Sequence, residues 1–259
     1  MKTFFEFLGR ISLNFIRQIG EFGLLAIRVV QYFPNIYQNR RNIAKQMEIV
    51  GNKSLPLVIL IGVFTGIISA LEATNLFDKF NLLSIAKPFM GASIATAIFT
   101  ELSPVLTALV IAGRIGASVA AEVGTMKVTE QLDALEMMSI DKNRYLAMPR
   151  VMATIVMMPI LVIFSYIVGL IGAYILTAFK FDFSFYLFFE SIQRFFALKE
   201  IIIGLIKSAV FGGVTSLIGI FVGYQTTGGA EGVGNSTVRA FTLSAASILF
   251  VDALFGTFY

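Results

Sequence analysis

The chain has 259 residues, of which 57% are hydrophobic and only 14% are charged, and its formal net charge is +4. Soluble globular domains contain about 25% charged residues, so this composition predicts a protein that crosses a membrane several times. Cysteine, histidine and tryptophan do not occur in the sequence, which excludes disulfides, zinc sites built on histidine or cysteine, and catalysis by either residue.

Residues 1–33 predict an amphipathic helix that lies along the membrane surface. At 100° per residue, its charged side chains fall within a sector of about 100°. A stripe of charge along the whole helix cannot cross a bilayer cheaply, so we expect it to face water. A helix packed in a soluble domain is the alternative, but the sequence contains no such domain. The charged residues of the stripe are Lys2, Glu6, Arg10, Arg17, Glu21 and Arg28.

A basic connector follows the surface helix and leads into the membrane domain. It covers residues 34–53 and contains Arg40, Arg41 and Lys45. The sequence therefore divides into a surface segment of residues 1–53 and a membrane domain of residues 54–259. Because the first apolar segment carries charges throughout and has no small-residue cleavage site, we do not expect a cleaved signal peptide.

About five apolar segments of the membrane domain are long enough to span a bilayer, which needs about 20 residues. The run at 88–121 is too long for one straight crossing. It forms either one tilted span kinked at Pro104, or a partial helix up to Phe99 followed by the main span. The segment at 180–199 mixes aromatic and charged residues and is expected at the membrane interface. The five segments are residues 55–71, 88–121, 146–179, 201–224 and 241–258.

The fold class predicted by these segments is an all-α membrane protein with a surface helix, about five spans and one short helix outside the membrane. Basic residues concentrate on one side of this topology, before residue 54 and between 127 and 150. Because cytoplasmic loops are enriched in lysine and arginine, the N-terminus is expected in the cytosol and the C-terminus on the opposite side.

The short helix, at about residues 127–139, is too charged to span the membrane. Thr129 is expected to cap it, with Glu130 and Asp133 in the first turn, where the helix dipole favours negative charge. The helix either docks into a groove of a partner protein or rests on the bilayer surface. Its apolar face is formed by Val128, Leu132 and Leu135, and Met137 and Met138 form an adaptable end.

Three ionisable residues lie in or beside apolar segments. Glu101 either faces a cavity, a partner charge or lipid headgroups, or is an ordinary acid at a helix end, which Pro104 favours. Lys207 lies well inside a span, where it either snorkels to an interface or faces a cavity as an anion contact or as the partner of Glu101. Asp252 is interpreted as a helix-end acid near the outer surface.

Two stripes of small residues recur every four positions and predict close helix packing, within one subunit or across a homodimer. The glycine-rich stretch 228–234 either cradles an anion or forms a tight turn, and the turn is favoured because no strand or lysine accompanies it. No catalytic site and no metal site is predicted. The stripes are Ala108, Ala112, Gly116 and Ala120, and Gly204, Ser208, Gly212 and Ser216.

Several of these stretches resemble the MlaE-type permeases of ABC transporters, which move phospholipids between bacterial membranes. The similarity covers roughly residues 50–258 and is densest between Glu101 and Arg150. A stretch similar to the family's G-G-A-E-G-V-G occurs at 228–234 and is followed by Thr237 and Arg239. The family's E-Q-x-D-A-L pattern is matched by Glu130, Gln131, Asp133, Ala134 and Leu135.

The resemblance implies a non-catalytic subunit of a larger machine. The short helix, through its matched residues and Met138, would be the coupling helix that inserts into a separate ATPase subunit. The chain itself has no P-loop, so ATP and Mg²⁺ would be bound by that partner. A homodimer would enclose a phospholipid cavity, with an MCE-domain substrate-binding protein on the other side. No nucleic acid is implied. The bacterial inner membrane is the expected location, ahead of a plastid inner envelope.

One departure from the family pattern bears on the cavity. The family typically has Arg-Glu-Leu-Gly-Pro where this chain has Thr100-Glu-Leu-Ser-Pro, so the basic neighbour of Glu101 is missing. Lys207 is the candidate replacement, which makes Thr100, Glu101 and Lys207 the expected lipid-cavity residues. No motif indicates the direction of transport or the preferred headgroup.

Two other functional classes compete with this interpretation. A stand-alone secondary transporter or channel would show internal repeats and several charges at mid-membrane, whereas only Lys207 lies plainly within a span. A membrane enzyme could use Lys207 and Ser208, but adjacent side chains point in different directions on a helix.

Overall fold

The computed structural model describes residues 2–80, 83–195 and 197–258. Side chains before Ser12, including the expected charges Lys2, Glu6 and Arg10, lie outside this description, as does Asn81. Every regular element in the described ranges is helical, which confirms the all-α fold. The helices are α1 Lys2–Gln31, α2 Ile36–Gly51, α3 Leu55–Lys79, α4 Leu83–Ala97, α5 Ser103–Ile111, α6 Ala117–Val128, α7 Gln131–Met137, α8 Met148–Phe181, α9 Phe185–Phe195, α10 Leu198–Tyr224 and α11 Gly229–Phe258.

Five helical stretches among the described residues are long and apolar enough to cross a membrane, as the sequence predicted. All are longer than the apolar segments suggested, because their ends carry polar residues in helical conformation. The last begins at the glycine-rich stretch and not near Phe241. The stretches are Leu55–Lys79, Lys87–Val128, Asn143–Phe181, Leu198–Tyr224 and Gly229–Thr257.

The second stretch is one continuous helix, as the first of the two arrangements expected for residues 88–121 requires. It is an uninterrupted helix of 42 residues, about 63 Å long at 1.5 Å per residue, which is twice the hydrocarbon thickness of about 30 Å. Two π-helical turns, Ile98–Leu102 and Ala112–Gly116, separate α4, α5 and α6. The first part, α4, packs mainly on α9 and α3, whereas α6 packs on α10 and α11. Pro104 lies in the first turn of α5 and does not break the helix.

The bundle has two distinct ends. One end, called the α9 end here, is formed by α4, α9 and the adjoining parts of α3, α8 and α10, and is rich in aromatic side chains such as Phe99, Tyr166 and Phe188. The α7 end is formed by α2, α7, the last turns of α1, the start of α8 and the last turns of α10. Five spans separate residues 2–53 from the last residues of α11. The former therefore lie at the α7 end and the latter at the α9 end.

Helices α3 and α8 form the most extensive pair, and glycines let them approach closely. A Cβ atom on Gly66 would lie 1.8 Å from the carbonyl oxygen of Gly169, and one on Gly172 would lie 2.7 Å from that of Val63. Gly62 and Gly66 form a Gly-x-x-x-Gly pattern, which favours such contacts in membranes. The sequence analysis did not single it out.

Both small-residue stripes lie inside the bundle of a single chain. The stripe that runs from α5 into α6 faces α10 and α11. A Cβ atom on Gly219 in α10 would lie 2.7 Å from the carbonyl oxygen of Gly116 in this stripe. In α10, a Cβ atom on Gly212 would lie 2.7 Å from that of Thr154 in α8. Ser208 and Ser216 are fully buried in the same stripe. The stripes therefore pack helices within one subunit, not across a dimer.

The surface segment is helical along most of its length. In the described part of α1, Leu25 and Val29 pack against the bundle, while Leu13, Ile16 and other apolar side chains remain exposed. Apolar exposure of this kind fits a helix that lies in a membrane interface. The basic connector is itself a helix, α2, which packs along α8.

Candidate functional site

The main candidate site is an ion cluster around Lys207. The side chain of Lys207 is only 2% exposed, and its Nζ lies 2.9 Å from Oε2 of Glu101 and 2.5 Å from Oδ1 of Asp252. It also donates a hydrogen bond of 3.2 Å to the carbonyl oxygen of Thr100. Three helical segments distant in sequence therefore meet at one buried ammonium group.

Local backbone geometry brings these residues together. Thr100 and Glu101 lie in the π-helical turn that joins α4 and α5, and single π turns occur frequently at functional sites. One turn before Lys207, a Cβ atom on Gly204 would lie 2.3 Å from the carbonyl oxygen of Phe99. The absence of that atom lets α10 approach the π turn, so the ammonium group can reach both Thr100 and Glu101.

The three charged residues differ in accessibility. The side chain of Glu101 is 49% exposed and that of Asp252 is 20% exposed. One cation and two carboxylates leave the cluster with one excess negative charge, and its accessible member is Glu101. A charged side chain within a span is expensive to expose to lipid. Glu101 is therefore expected to face a water-filled cavity, a headgroup or a second protein chain.

The cluster corrects one expectation and resolves another. Lys207 does not snorkel to an interface, because its ammonium group is paired with Glu101 inside the bundle. Asp252 is not an isolated helix-end acid, because it pairs with Lys207. The sequence held only part of its signal: a carboxylate in an apolar segment calls for a cation, but which cation it meets depends on how α10 and α11 pack. Thr100 contributes its backbone, while its hydroxyl donates to the carbonyl oxygen of Thr96.

The start of the short helix differs from the expected cap. Thr129 does not cap α7, because its hydroxyl donates to the carbonyl oxygen of Thr125 in α6. Glu130 occupies the cap position in a left-handed conformation, with φ of 59° and no side-chain hydrogen bond to the helix. Asp133 lies in the first turn and pairs with Lys127 at 3.1 Å. The left-handed residue forces the chain to turn sharply between α6 and α7.

The apolar face of α7 points into this chain and not outward. Leu132 is 1% exposed, and the partly buried Leu135 packs against the same core. The outward surface consists of other side chains, of which Met137 is 88% exposed. The exposed residues of α7 and its ends are Glu130, Gln131, Asp133, Ala134, Glu136, Met137 and Met138.

Polar contacts connect α7 to the surface segment. The hydroxyl of Tyr32, just after α1, donates a hydrogen bond of 2.7 Å to Oδ2 of Asp141, which follows α7. This hydrogen bond raises the pKa of Tyr32. Partial burial alone would raise the pKa of Asp141, but hydrogen bonds from Tyr32 and from the backbone of Asn143 and Arg144 outweigh it, and the pKa of Asp141 lies below its ordinary value. The contact joins α1 to the segment between α7 and α8.

A second set of polar contacts joins the helices at the α7 end. The buried guanidinium of Arg150 donates to Oε2 of Glu122 at 3.1 Å, connecting α8 with α6. Arg114, in the π turn between α5 and α6, donates to the hydroxyl of Ser54 at 2.7 Å. These two arginines anchor the starts of α3 and α8 to the long helix that leads into α7.

Most of the glycine-rich stretch belongs to α11, which begins at Gly229, and only Gly228 lies in the turn expected there. Gly228 and Gly229 have φ values of 88° and 65°, which side-chain-bearing residues rarely adopt. A Cβ atom on Gly232 would lie 1.7 Å from the carbonyl oxygen of Thr227. The glycines therefore close the connection between the last two spans. Within the described residues, no group of three or more His, Cys, Asp or Glu side chains could hold a metal ion.

Comparisons with known proteins found one matching family and several similar proteins. The sequence model of the family described as Permease MlaE matches residues 43–258. A probable ABC transporter permease protein of Synechocystis sp. is 39% identical over 241 residues, 92% of this chain and 89% of the relative. One from Rickettsia bellii is 35% identical over 249 residues, 95% and 94% of the two chains. The intermembrane phospholipid transport system permease protein MlaE of Haemophilus influenzae is 30% identical over 251 residues, 96% and 95% of the two chains.

Proposed function

The chain belongs to the MlaE permease family, and from this premise we propose that it is the transmembrane subunit of an ABC transporter that moves phospholipid between membranes. The relatives in Rickettsia and Synechocystis carry the name of ABC transporter permeases, and the relative in Haemophilus carries that of a phospholipid transport permease. The subunit performs no chemistry of its own, and a separate ATPase binds ATP and Mg²⁺.

The observation that carries this proposal is the half-exposed carboxylate of Glu101 held by a buried lysine. Lys207 is paired and almost fully buried, so its role is to position Glu101 and to stabilise its negative charge. Glu101 is the group that reaches the lipid, and it accepts hydrogen bonds from the headgroup as the lipid passes. Thr100 supports this arrangement through its carbonyl oxygen.

A homodimer supplies the cavity that Glu101 needs. Within the chain, only 17% of the most apolar 18-residue part of α11 is buried. The corresponding parts of the other four spans are 33–56% buried. A second copy packed near this exposed helix would enclose Glu101 between two subunits and shield it from lipid. The cavity would then admit phospholipid from the α9 end, where an MCE-domain protein delivers or receives it.

The outward surface of α7 is the contact with the ATPase. Met137 and Met138 are flexible apolar side chains that adapt to a groove, and the acidic residues beside them add charge complementarity. Since α7 is firmly joined to α6 and α8, a movement of the ATPase would shift these helices as rigid bodies and change the shape of the cavity. This arrangement puts the α7 end in the cytosol and the end of α11 on the opposite side of a bacterial inner membrane.

Purification of the tagged protein from its native membranes tests the proposal. Mass spectrometry of the proteins and lipids that accompany it should identify an ABC ATPase in stoichiometric amounts, an MCE-domain protein and phospholipid. A protein that remains alone and lipid-poor, under conditions that preserve other ABC complexes, would contradict the proposal and favour a stand-alone transporter.

A further inference from the structure

A cavity lies at the α7 end, far from the ion cluster. It has a volume of about 360 Å³ and opens between α1, the segment after α7 and the last turn of α10. Pockets for small molecules typically have volumes of about 300–1,000 Å³. Neither the coupling surface of α7 nor the lipid route past Glu101 accounts for this cavity.

Two cations from different segments line the cavity. Arg28 lies in the last turn of α1, and Lys142 lies in the segment between α7 and α8. Among the described residues, Arg28 makes no contact ion pair. Lys142 pairs with Glu136 at 2.6 Å and lies 5.3 Å from the centre of the Tyr224 ring. Both cations retain hydrogen-bond donors for an anion, because guanidinium carries five N–H groups and ammonium carries three.

The wall also contains polar atoms that lack a partner. Asn143 is only 5% exposed, and its Oδ1 has no hydrogen-bond partner among the described residues, nor does the buried hydroxyl of Tyr224. Both residues line the cavity. Unpartnered buried polar groups are rare and costly in native proteins. An occupant that carries both donors and acceptors would offer partners to these two atoms.

The remaining wall is apolar and continues onto the membrane-facing side of α1. Leu25 and Phe221 form the inner part, and Leu24 is 56% exposed at the rim. Ile27 extends this exposed apolar surface along the same helix. A soluble anion would gain nothing from these side chains, whereas a molecule with a charged head and hydrocarbon tails would contact both parts of the wall.

We propose that this cavity binds the headgroup of a glycerophospholipid from the leaflet at the α7 end. The phosphate lies between Arg28 and Lys142, and the acyl chains run along the exposed apolar side chains of α1. Glu21, which also lines the cavity and pairs with Arg17, accepts a hydrogen bond from the ammonium or hydroxyl group of the headgroup. This lipid is a resident one that joins α1 to the α7–α8 segment, distinct from the lipid that passes Glu101.

The test compares lipid binding in two matched double variants. Arg28→Gln with Lys142→Gln removes both cations of the cavity. Arg40→Gln with Arg41→Gln makes the same change of charge on exposed residues of α2 that do not line it. Phospholipid bound per chain is measured after extensive detergent washing, together with the rise in unfolding temperature when phospholipid is added back. Inorganic phosphate is added in a parallel series.

The wild type and the α2 variant should retain the lipid and be stabilised by it, while the cavity variant should bind it about tenfold more weakly or worse, since each tenfold corresponds to about 1.4 kcal/mol. If that variant does not fold, Arg28→Gln alone, on an exposed side chain, is compared with Arg40→Gln. Equal lipid binding in the paired variants would overturn the proposal. Equal stabilisation by inorganic phosphate would assign the cavity to a soluble anion, and loss of the ATPase with lipid retained would assign it to a protein contact.

Discussion

The ammonium group of Lys207 and the carboxylate of Glu101 form an ion pair of 2.9 Å, although the two residues lie 106 positions apart in the sequence. The two partners differ sharply in environment, because the lysine is almost fully buried and the glutamate is half exposed. The lysine therefore stabilises a carboxylate that remains accessible from outside the chain. Asp252 completes the cluster from α11.

Replacing Lys207 with methionine should lower the stability of the protein against unfolding. The substitution keeps an unbranched side chain that is one atom shorter but leaves the carboxylates of Glu101 and Asp252 without their cation. Loss of one partner of a buried pair typically costs about 3–5 kcal/mol, and the partial exposure of both carboxylates favours the lower end. The measurement is thermal or denaturant unfolding in detergent. Ile206→Met, on the exposed neighbour in the same span, is the control, and equal stability of the two variants would refute the structural role of the cluster.

The two sides of α7 should respond differently to mutation. Met137→Ser with Met138→Ser changes only exposed side chains, so the ATPase should be lost from the purified complex while the unfolding temperature stays unchanged. Leu132→Ala removes a buried side chain and should lower stability by about 2–5 kcal/mol. Co-purification and thermal unfolding are measured for both variants. Full retention of the ATPase by the double methionine variant would mean that α7 does not couple through this surface.

A methyl group at position 66 should force α3 and α8 apart. The added Cβ of Gly66→Ala would lie 1.8 Å from the carbonyl oxygen of Gly169, and overpacking of a close-packed interior costs about 1–3 kcal/mol. Gly256→Ala is the control, because no atom lies within 4 Å of its added Cβ. Thermal unfolding should show a loss of stability only for the first variant. A stability equal to that of the control would mean that the two helices are not packed as described.

The contact between Tyr32 and Asp141 should stabilise the fold by an amount that depends on pH. The pKa of Asp141 is lower in the folded protein than in the unfolded chain. Its contribution to stability is therefore present above the pKa that this carboxyl has in the unfolded chain, and it is lost as the pH falls below about 4. The raised pKa of Tyr32 means that its contribution is lost as the pH rises above about 10.

Tyr32→Phe should therefore lower stability at neutral pH by no more than about 1 kcal/mol, because the pair is partly exposed. The difference from the wild type should shrink at both extremes of pH. Unfolding temperatures of the two proteins, measured from about pH 2 to about pH 12, provide the test. Tyr37→Phe, on an exposed residue of α2, is the control. A difference that does not vary with pH would exclude the hydrogen bond from Tyr32 to the ionised Asp141 as its source.

The spans and the surface helix could be predicted because hydrophobicity over about 20 residues leaves few alternative structures. Lys207 and Glu101 could be singled out because charged residues are rare in apolar segments. The role of Asp252 could not, since its pairing depends on how α10 and α11 pack. It was interpreted as a helix-end acid because it lies late in the last span.

The orientation of α7 shows a second limit of periodicity. The spacing of Val128, Leu132 and Leu135 predicted an apolar face, but it cannot indicate whether that face meets a partner or the same chain. The structure directs Leu132 into the core and leaves Met137 outside. The continuity of α4, α5 and α6 was one of two alternatives left open, because a proline often marks a helix boundary. The structure shows that the helix continues through Pro104 after a π turn.

Transport of phospholipid by the purified complex in proteoliposomes tests the central claim most directly. Fluorescent phospholipid should move when ATP and Mg²⁺ are supplied to the complex of this chain with its co-purified ATPase. Glu101→Gln should slow that movement at least about tenfold, which corresponds to about 1.4 kcal/mol, while Glu72→Gln, on an exposed acid of α3, should not. Movement that needs an ion gradient and no ATP, or that is unaffected by Glu101→Gln, would contradict a lipid permease that works through this carboxylate.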